Sequence, residues 1–261
     1  MNLCDLAVES IAGLQPYVPG KPIEELQRQY GVRDVIKLAS NESPIGPSQA
    51  AQAAIALATR DLTRYPDGNG YALKLALSEK FQVDANQITL GNGSNDVLEL
   101  IARCFASPAD EVIFSQHAFA VYPLVTQAIG ATLVEVPAKQ YGHDLTAMQQ
   151  AVTEKTKLIF IANPNNPTGT HIPATEVHSF LQSLADNVIV VLDEAYVEYG
   201  DEDVNSIDWL RQFPNLIICR TFSKAYGLAG LRVGFALSSP EIADLLNRLR
   251  QPFNVNHLAM S

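Results

Sequence analysis

Cysteine, tryptophan and methionine are scarce: three, one and three among 261 residues. Cys4, Cys104 and Cys219 are odd in number, far apart and never spaced C-x-x-C. That excludes a disulfide framework and fits reduced thiols in a cytoplasmic protein. No apolar run is long enough to cross a bilayer, and the opening MNLCDLAVESIAG lacks the basic and apolar stretches of a secretory signal. Basic residues are outnumbered. The 18 Lys and Arg against 28 Asp and Glu leave a formal net charge of −10, with no basic stripe for nucleic acid. A few local cations can still hold an anionic small molecule on an acidic protein. The five histidines form no H-E-x-x-H or similar cluster, so no metal is expected. Both G-x-G-x-x-G and G-x-x-x-x-G-K-[ST] are missing, which counts against dinucleotides and ATP. Internal repeats and low-complexity tracts are absent.

What is there suits an ordinary globular protein. Hydrophobic residues make up 47% of the chain, enough for one large domain or two modest ones. To about Tyr30 the chain is punctuated by Pro16, Pro19 and Pro22 and reads as an extended arm ending in a helix over Ile23 to Tyr30. From Ser78 onward short apolar runs alternate with helical stretches. Residues 88–90, 111–115, 131–137, 157–164, 187–196, 215–223 and 233–237 read as strands. Residues 95–105, 121–130, 174–185 and 241–250 read as helices. Several strands are apolar on both alternations, as in a largely parallel sheet covered on both faces. Such alternation predicts α/β architecture. The closing HLAMS reads as the opening of a further helix, so the chain is expected to stop inside an element.

In an open α/β sheet, ligands bind beyond the carboxyl ends of the strands. Four apolar runs are followed by G-N-G-S-N-D, N-P-N-N-P-T-G, D-E-A-Y and T-F-S-K-A-Y-G-L-A-G-L-R. These offer Ser94 and Asn95, Asn166, Asp193 and Tyr196, and Lys224 and Arg232. Taken singly, each has a plain structural reading: a solvated lysine, a salt-bridging arginine, a turn aspartate, a packed tyrosine, a turn asparagine. Taken together they suggest chemistry. A desolvated lysine beside other cations becomes a nucleophilic amine. An arginine grips phosphate with two donors. A buried carboxylate is costly unless paired, so Asp193 could hold a proton on a cationic ring nitrogen. Amides that open a helix after Gly93 form an anion site. Phe119 would ordinarily be core, or could stack on a flat ring.

The blocks N-P-N-N-P-T-G (163–169), D-E-A-Y (193–196) and T-F-S-K-A-Y-G-L-A-G-L-R (221–232) resemble the signature blocks of fold-type I pyridoxal-phosphate aminotransferases. Three shorter blocks, L-Q-P-Y-V-P-G-K-P (14–22), L-A-S-N-E-S-P-I-G-P-S (38–48) and R-Y-P-D (64–67), resemble the histidinol-phosphate aminotransferases. The resemblance implies a three-layer α/β/α large domain with a mostly parallel central sheet. On that reading residues 1–40 form the arm and the start of a small domain. Residues 41–261 form the cofactor-binding large domain, and the chain ends before a C-terminal small domain that carries a substrate-binding arginine. Substrate binding and turnover by this chain are therefore in question.

The resemblance also implies roles. Lys224 matches the lysine that bonds the aldehyde of pyridoxal phosphate, and Asp193 the carboxylate on its pyridine nitrogen. Tyr196 and Asn166 match donors to its phenolic oxygen. Ser94, Asn95, Thr221, Ser223 and Arg232 match the phosphate cup, and Phe119 the stacking ring. Tyr65 matches a tyrosine that reaches the cofactor phosphate of the other subunit in a homodimer, and Tyr17 and Asn41 lie near the substrate. The implied reaction is amino transfer between a small phosphorylated amine, histidinol phosphate, and 2-oxoglutarate in histidine biosynthesis. Threonine-phosphate decarboxylase and other class I/II aminotransferases are the alternatives on the same scaffold, and a non-enzymatic cofactor-binding remnant is a third.

Overall fold

The structure is a computed structural model that describes residues 3–17, 20–200 and 205–261. Met1 and Asn2 of the opening segment and Val18 and Pro19 of the arm motif lie outside the described residues, as does the side chain of Cys4. In chain order the regular elements are α1 (Glu9–Ala12), α2 (Ile23–Tyr30), α3 (Gln49–Ala58), α4 (Tyr71–Phe81), β1 (Ile88–Gly91), α5 (Ser94–Phe105), β2 (Glu111–Ser115), α6 (Val121–Ala128), β3 (Thr132–Val136), α7 (Leu145–Gln150), β4 (Thr156–Ala162), α8 (Ala174–Gln182), β5 (Ile189–Asp193), β6 (Leu216–Thr221), β7 (Gly234–Leu237) and α9 (Pro240–Leu249).

The seven strands form one sheet in the order β1-β7-β6-β5-β4-β2-β3. β2 to β6 are mutually parallel, while β7 runs antiparallel to both β6 and β1. The expected three-layer, mostly parallel α/β/α architecture is what the chain adopts. Its cause is the two-residue alternation of apolar side chains. Leu158, Phe160, Val191 and Ile217 face one way and pack with Val97, Leu98 and Ile101 of α5, Tyr122 of α6 and Leu246 of α9. Ile159, Ile161, Val190 and Leu192 face the other way, against Met148 of α7, Val177 and Phe180 of α8, and Trp209. Most of these are fully buried, and each large apolar side chain contributes about 1.5–3 kcal/mol.

Every expected strand is present; β2 keeps its expected bounds, β1 runs one residue longer, β4 starts one residue earlier, and most other ends are trimmed. β5 stops at Asp193 rather than Tyr196 because the Asp193 carboxylate accepts from the Ala195 amide at 3.1 Å and turns the chain. Other expectations need correction. The arm is not extended throughout: a 3₁₀ turn over Leu3–Leu6 and α1 precede the prolines, and Ser10 fastens α1 to α6 through the Ala128 carbonyl at 3.3 Å. Residues 1–15 contain no proline, so nothing blocks a turn before Pro16. The sequence pattern passed over α3, α4 and α7. Ser48 and Asp144 cap α3 and α7 with their side chains, while α4 lacks one clear apolar face. HLAMS forms only a 3₁₀ turn, His257–Ala259, capped by Asn256. No helix among the described residues is long and apolar enough to cross a membrane.

Beneath the carboxyl ends of β5 and β6 lies a buried ion pair. Arg220 donates to Glu194 through Nε at 2.9 Å and through its terminal nitrogen at 2.7 Å. Ser206 donates to the other Glu194 oxygen, and the guanidinium lies 5.0 Å over the Phe81 ring. Removing one member of such a pair leaves a buried charge alone, at a cost of about 3–5 kcal/mol. Glu194→Ala is expected to lower the thermal unfolding midpoint by ~6–15 °C. Replacing both Glu194 and Arg220 by apolar residues should cost less than Glu194→Ala alone. Thermal unfolding of the two variants measures the difference.

Candidate active site

At the carboxyl edge of the sheet lies a cavity of about 370 Å³. Every site residue expected from sequence lines it except Tyr65. Four chain segments supply most of its walls, the start of α5, the 163–169 turn, the end of β5 and the β6–β7 loop, and Tyr17, Ser40, Asn41 and Phe119 add to them. The antiparallel β7 matters here. In a parallel sheet each strand would send only its carboxyl end to this edge. β7 brings its amino end, so Gly234 pairs with Thr221 at the end of β6 and with Gly91 at the end of β1. Arg232 therefore stands beside Thr221 and Ser223, and across from Ser94 and Asn95.

This corner has the composition of an anion cup. The first amides of α5 have no acceptor within the helix, and they open on the cavity at Ser94 and Asn95. Arg232 donates to Ser223 Oγ and to the Ala229 carbonyl, each at 3.2 Å, and has no carboxylate partner among the described residues. Thr221 Oγ1 accepts from the Ser223 amide at 3.1 Å, folding the loop inward. Space is kept by two glycines. A Cβ on Gly93, whose φ is +84°, would collide with the Arg232 guanidinium, and one on Gly234 would collide with the Ser94 amide.

At the other end sits Asp193, 4% exposed. Its Oδ2 accepts from the Tyr122 hydroxyl at 2.8 Å and its Oδ1 from the Ala195 amide at 3.1 Å. Burial raises its pKa to about 6, against the lowering effect of these two donors. A carboxylate in such a place is short of a cation. Lys224 lies between the two ends. Its Nζ donates to the Ser40 carbonyl at 2.8 Å and stands 5.4 Å from the centre of the Tyr196 ring. Burial lowers its pKa, and nearby Arg232 lowers it further, against the pull of Glu42 and Asp193. The Tyr196 hydroxyl accepts from Asn41 Nδ2 at 3.0 Å. Phe119 lines the wall and meets Tyr122 edge-on, ring centres 5.8 Å apart.

The 163–169 turn is stitched by its own asparagines. Asn163 exchanges two hydrogen bonds with the Ile172 main chain, at 2.9 and 3.0 Å. Asn165 donates to the His117 carbonyl at 2.8 Å and to Thr168 at 2.7 Å. Asn166 is left facing the cavity. Both Asn-Pro bonds of the turn are cis. Tyr17, 62% exposed, stands at the rim. Tyr65 is 82% exposed and stacks on Phe253 at 4.8 Å, away from this chain's own cavity.

An anion cup at one end, a buried carboxylate at the other, a flanking aromatic ring and a desolvated amine between them fit a flat phosphorylated pyridine aldehyde. Ser94, Asn95, Thr221, Ser223 and Arg232 would hold its phosphate, Asp193 its ring nitrogen, and Tyr196 and Asn166 its ring oxygen. Two contributors escaped the sequence reading. Tyr122 follows Phe119 by three residues, a spacing that puts both on one side of a helical turn, and a buried tyrosine must place its hydroxyl. The Ser40 carbonyl has no side-chain signature; only the left-handed φ of Ser40 and Asn41, +70° and +51°, marks that turn.

The raised pKa of Asp193 carries a stability consequence. The folded state binds the proton more tightly than the unfolded state, so burial of the carboxylate erodes stability as pH rises from about 4 to 6. Asp193→Asn is expected to unfold at about the wild-type temperature near pH 4 and to be more stable above pH 6, by up to about 3 kcal/mol, without ligand. Thermal unfolding across that range checks it.

Comparison with known proteins gives the family. Residues 33–261 match the family model "Aminotransferase class I and II". A histidinol-phosphate aminotransferase of Idiomarina loihiensis is 58% identical over 261 residues, covering 99% of this chain and 71% of its own. One from Nitrosospira multiformis is 57% identical over 265 residues, covering 100% and 68%. The crystal structure of a histidinol-phosphate aminotransferase from Sinorhizobium meliloti, in complex with pyridoxal-5'-phosphate, superposes with a TM-score of 0.90 at 33% identity, over 97% of this chain and 68% of that one. The chain belongs to the class I and II aminotransferase family.

Proposed function

We propose that the chain holds pyridoxal phosphate in the 370 Å³ cavity and carries amino transfer between histidinol phosphate and 2-oxoglutarate. The observation that carries this reading is the meeting, around one cavity, of Lys224, Asp193 and an Arg232 that has no carboxylate partner among the described residues. Relatives more than 55% identical over nearly the whole chain, all named histidinol-phosphate aminotransferases, favour this substrate over the alternatives. An L-threonine-O-3-phosphate decarboxylase from Porphyromonas gingivalis, at 23% identity, shares the fold alone.

The reaction needs a carbanion beside nitrogen, and the bound cofactor supplies the electron sink for it. The chain's residues supply orientation and proton control. Asp193 keeps the ring nitrogen protonated. Tyr196 and Asn166 donate toward the ring oxygen. The cup at Ser94, Asn95, Thr221, Ser223 and Arg232 anchors the phosphate while the amine partner changes. Lys224, whose amine pKa is lowered by burial and which now donates to the Ser40 carbonyl, would hold the cofactor's aldehyde carbon and, once free, would carry the proton from the substrate's α-carbon. Two half-reactions in one site give ping-pong kinetics. A second cavity of about 570 Å³ shares Asn41, Pro164, Pro167 and Tyr196 with the first and extends to His171 and Tyr199. It provides room for the substrate beside Tyr17 and Asn41.

On this reading the working form is a cytoplasmic homodimer. Tyr65 reaches the cofactor phosphate of the partner subunit, which accounts for its exposure here. The helix α3, QAAQAAIALA, fully buries none of its side chains; its Leu57 and the following Leu62 are 63% and 59% exposed. Such an apolar surface suits a second copy. Residues 1–40 act as the arm and the start of a smaller domain, and 41–261 as the cofactor-binding one.

Titration of the cofactor-loaded protein with histidinol phosphate is expected to shift the cofactor absorbance from its aldehyde to its amine form, and 2-oxoglutarate to aid no such shift by itself. Phosphothreonine and aromatic amino acids should leave the spectrum unchanged. Borohydride should fix the cofactor on Lys224, and Lys224→Ala should lose both the labelling and the turnover, by at least ~10³-fold. A phosphothreonine response with carbon dioxide release would replace the proposal by the decarboxylase.

A further inference from the structure

Tyr122 has no role in the reaction as described, yet it is the most constrained side chain near the site. It is fully buried, its ring lies parallel to Phe160 at 4.6 Å, and its edge meets Phe119. Its hydroxyl spends its proton on Asp193 Oδ2 at 2.8 Å. Burial, reinforced by the Asp193 charge, pushes the phenol pKa well up, so it remains a donor throughout the working pH range. One side chain thus touches both the residue that would flank the cofactor ring and the carboxylate that would meet the ring nitrogen.

We propose that Tyr122 is a positioning residue: its hydroxyl fixes the rotation of the Asp193 carboxylate and keeps it ionised for a cationic ring nitrogen, while its ring sets the plane of Phe119. The other groups around that carboxylate cannot do this. Glu194, the residue after β5, adds like charge and is itself tied to Arg220 and Ser206. Cys219 on β6 is fully buried, and its thiol pKa is pushed well up by burial, so it brings no charge. Lys224 is engaged by the Ser40 carbonyl, and Tyr196 by Asn41. The Ala195 amide holds Oδ1 from the main chain, so it closes a turn, whereas Tyr122 Oη is the one side-chain hydroxyl within hydrogen-bond distance of the carboxylate among the described residues.

The inference rests on the reading that Asp193 meets the cofactor nitrogen, and the test separates the two. Pyridoxal phosphate affinity is measured by fluorescence titration from pH 5 to 9 for the wild-type chain, Tyr122→Phe, Asp193→Asn and the double variant. Tyr122→Phe keeps the ring and its stacking. It is expected to weaken the cofactor about tenfold at pH 7. It should also move the acid limb of the affinity profile to higher pH by about one unit, since loss of a donor makes the carboxylate easier to protonate. In the Asp193→Asn background the same change should have no effect on the profile. A lower unfolding temperature with an unmoved profile would mean a packing role and would overturn the proposal. An Asp193→Asn variant with wild-type affinity would overturn it together with the reading of Asp193. Should Tyr122→Phe fold poorly, Phe160→Leu, which loosens the ring but keeps the hydroxyl, must weaken the cofactor without moving the limb; a moved limb would contradict the proposal.

Discussion

A carboxylate at the end of an apolar strand is cut off from the water that would solvate it. Asp193 is held in that state from both sides, since its residue pairs with Ala162 of β4 and Cys219 of β6 in the ladder. Desolvation makes the ionised form expensive, and two donors offset only part of that cost. A cation brought to it would recover the rest. Folding therefore stores an unmet electrostatic demand at one end of the cavity, and Arg232 with the amides of α5 stores one of opposite sign at the other. A dipolar, flat ligand satisfies both at once. The remaining features of the site, from the stitched asparagine turn to the glycines that keep the cup open, hold these two demands a fixed distance apart.

The strands were legible in the sequence because burial on both sheet faces leaves unbroken apolar runs, and polar residues at the strand ends then stand out. The same logic located Asp193 and Lys224, whose positions follow directly from where an apolar run stops. Strand direction was not legible. Alternation in G-F-A-L is the same for a parallel or an antiparallel strand, so the reversal of β7 emerges only from pairing. The helix α4 was missed for a related reason: its apolar residues lie all round, with no one face for periodicity to reveal. Tyr122 was hidden by its chemistry, since an interior tyrosine in V-Y-P-L-V reads as packing until its hydroxyl is seen on Asp193. The Ser40 carbonyl belongs to the main chain, and no residue type announces it.

The lower layer of the site has its own division of labour. The Glu194–Arg220 pair, one residue from Asp193 in sequence, points to the opposite side of the strand end. It locks the turn after β5 to β6 without entering the cavity. Its charge is neutralised locally, so that the acid one position earlier remains the one left wanting a partner. Alternation along a strand thus separates a scaffold carboxylate from a functional one by a single residue.

The reversal of β7 reaches further than the cup. Because Thr221 and Gly234 are ladder partners, the twelve residues between them form a closed loop whose two feet are fastened to each other. Lys224 rides near one foot and Arg232 near the other. The spacing between amine and guanidinium is then a property of loop length, insulated from movements of the helices that flank the sheet. Packing fixes the stretch between them as well: the Tyr226 ring meets Phe222 at 5.1 Å, and a Cβ on Gly227, whose φ is +68°, would collide with the Gly46 backbone. Insertion or deletion of even one residue there would put the two charges out of step.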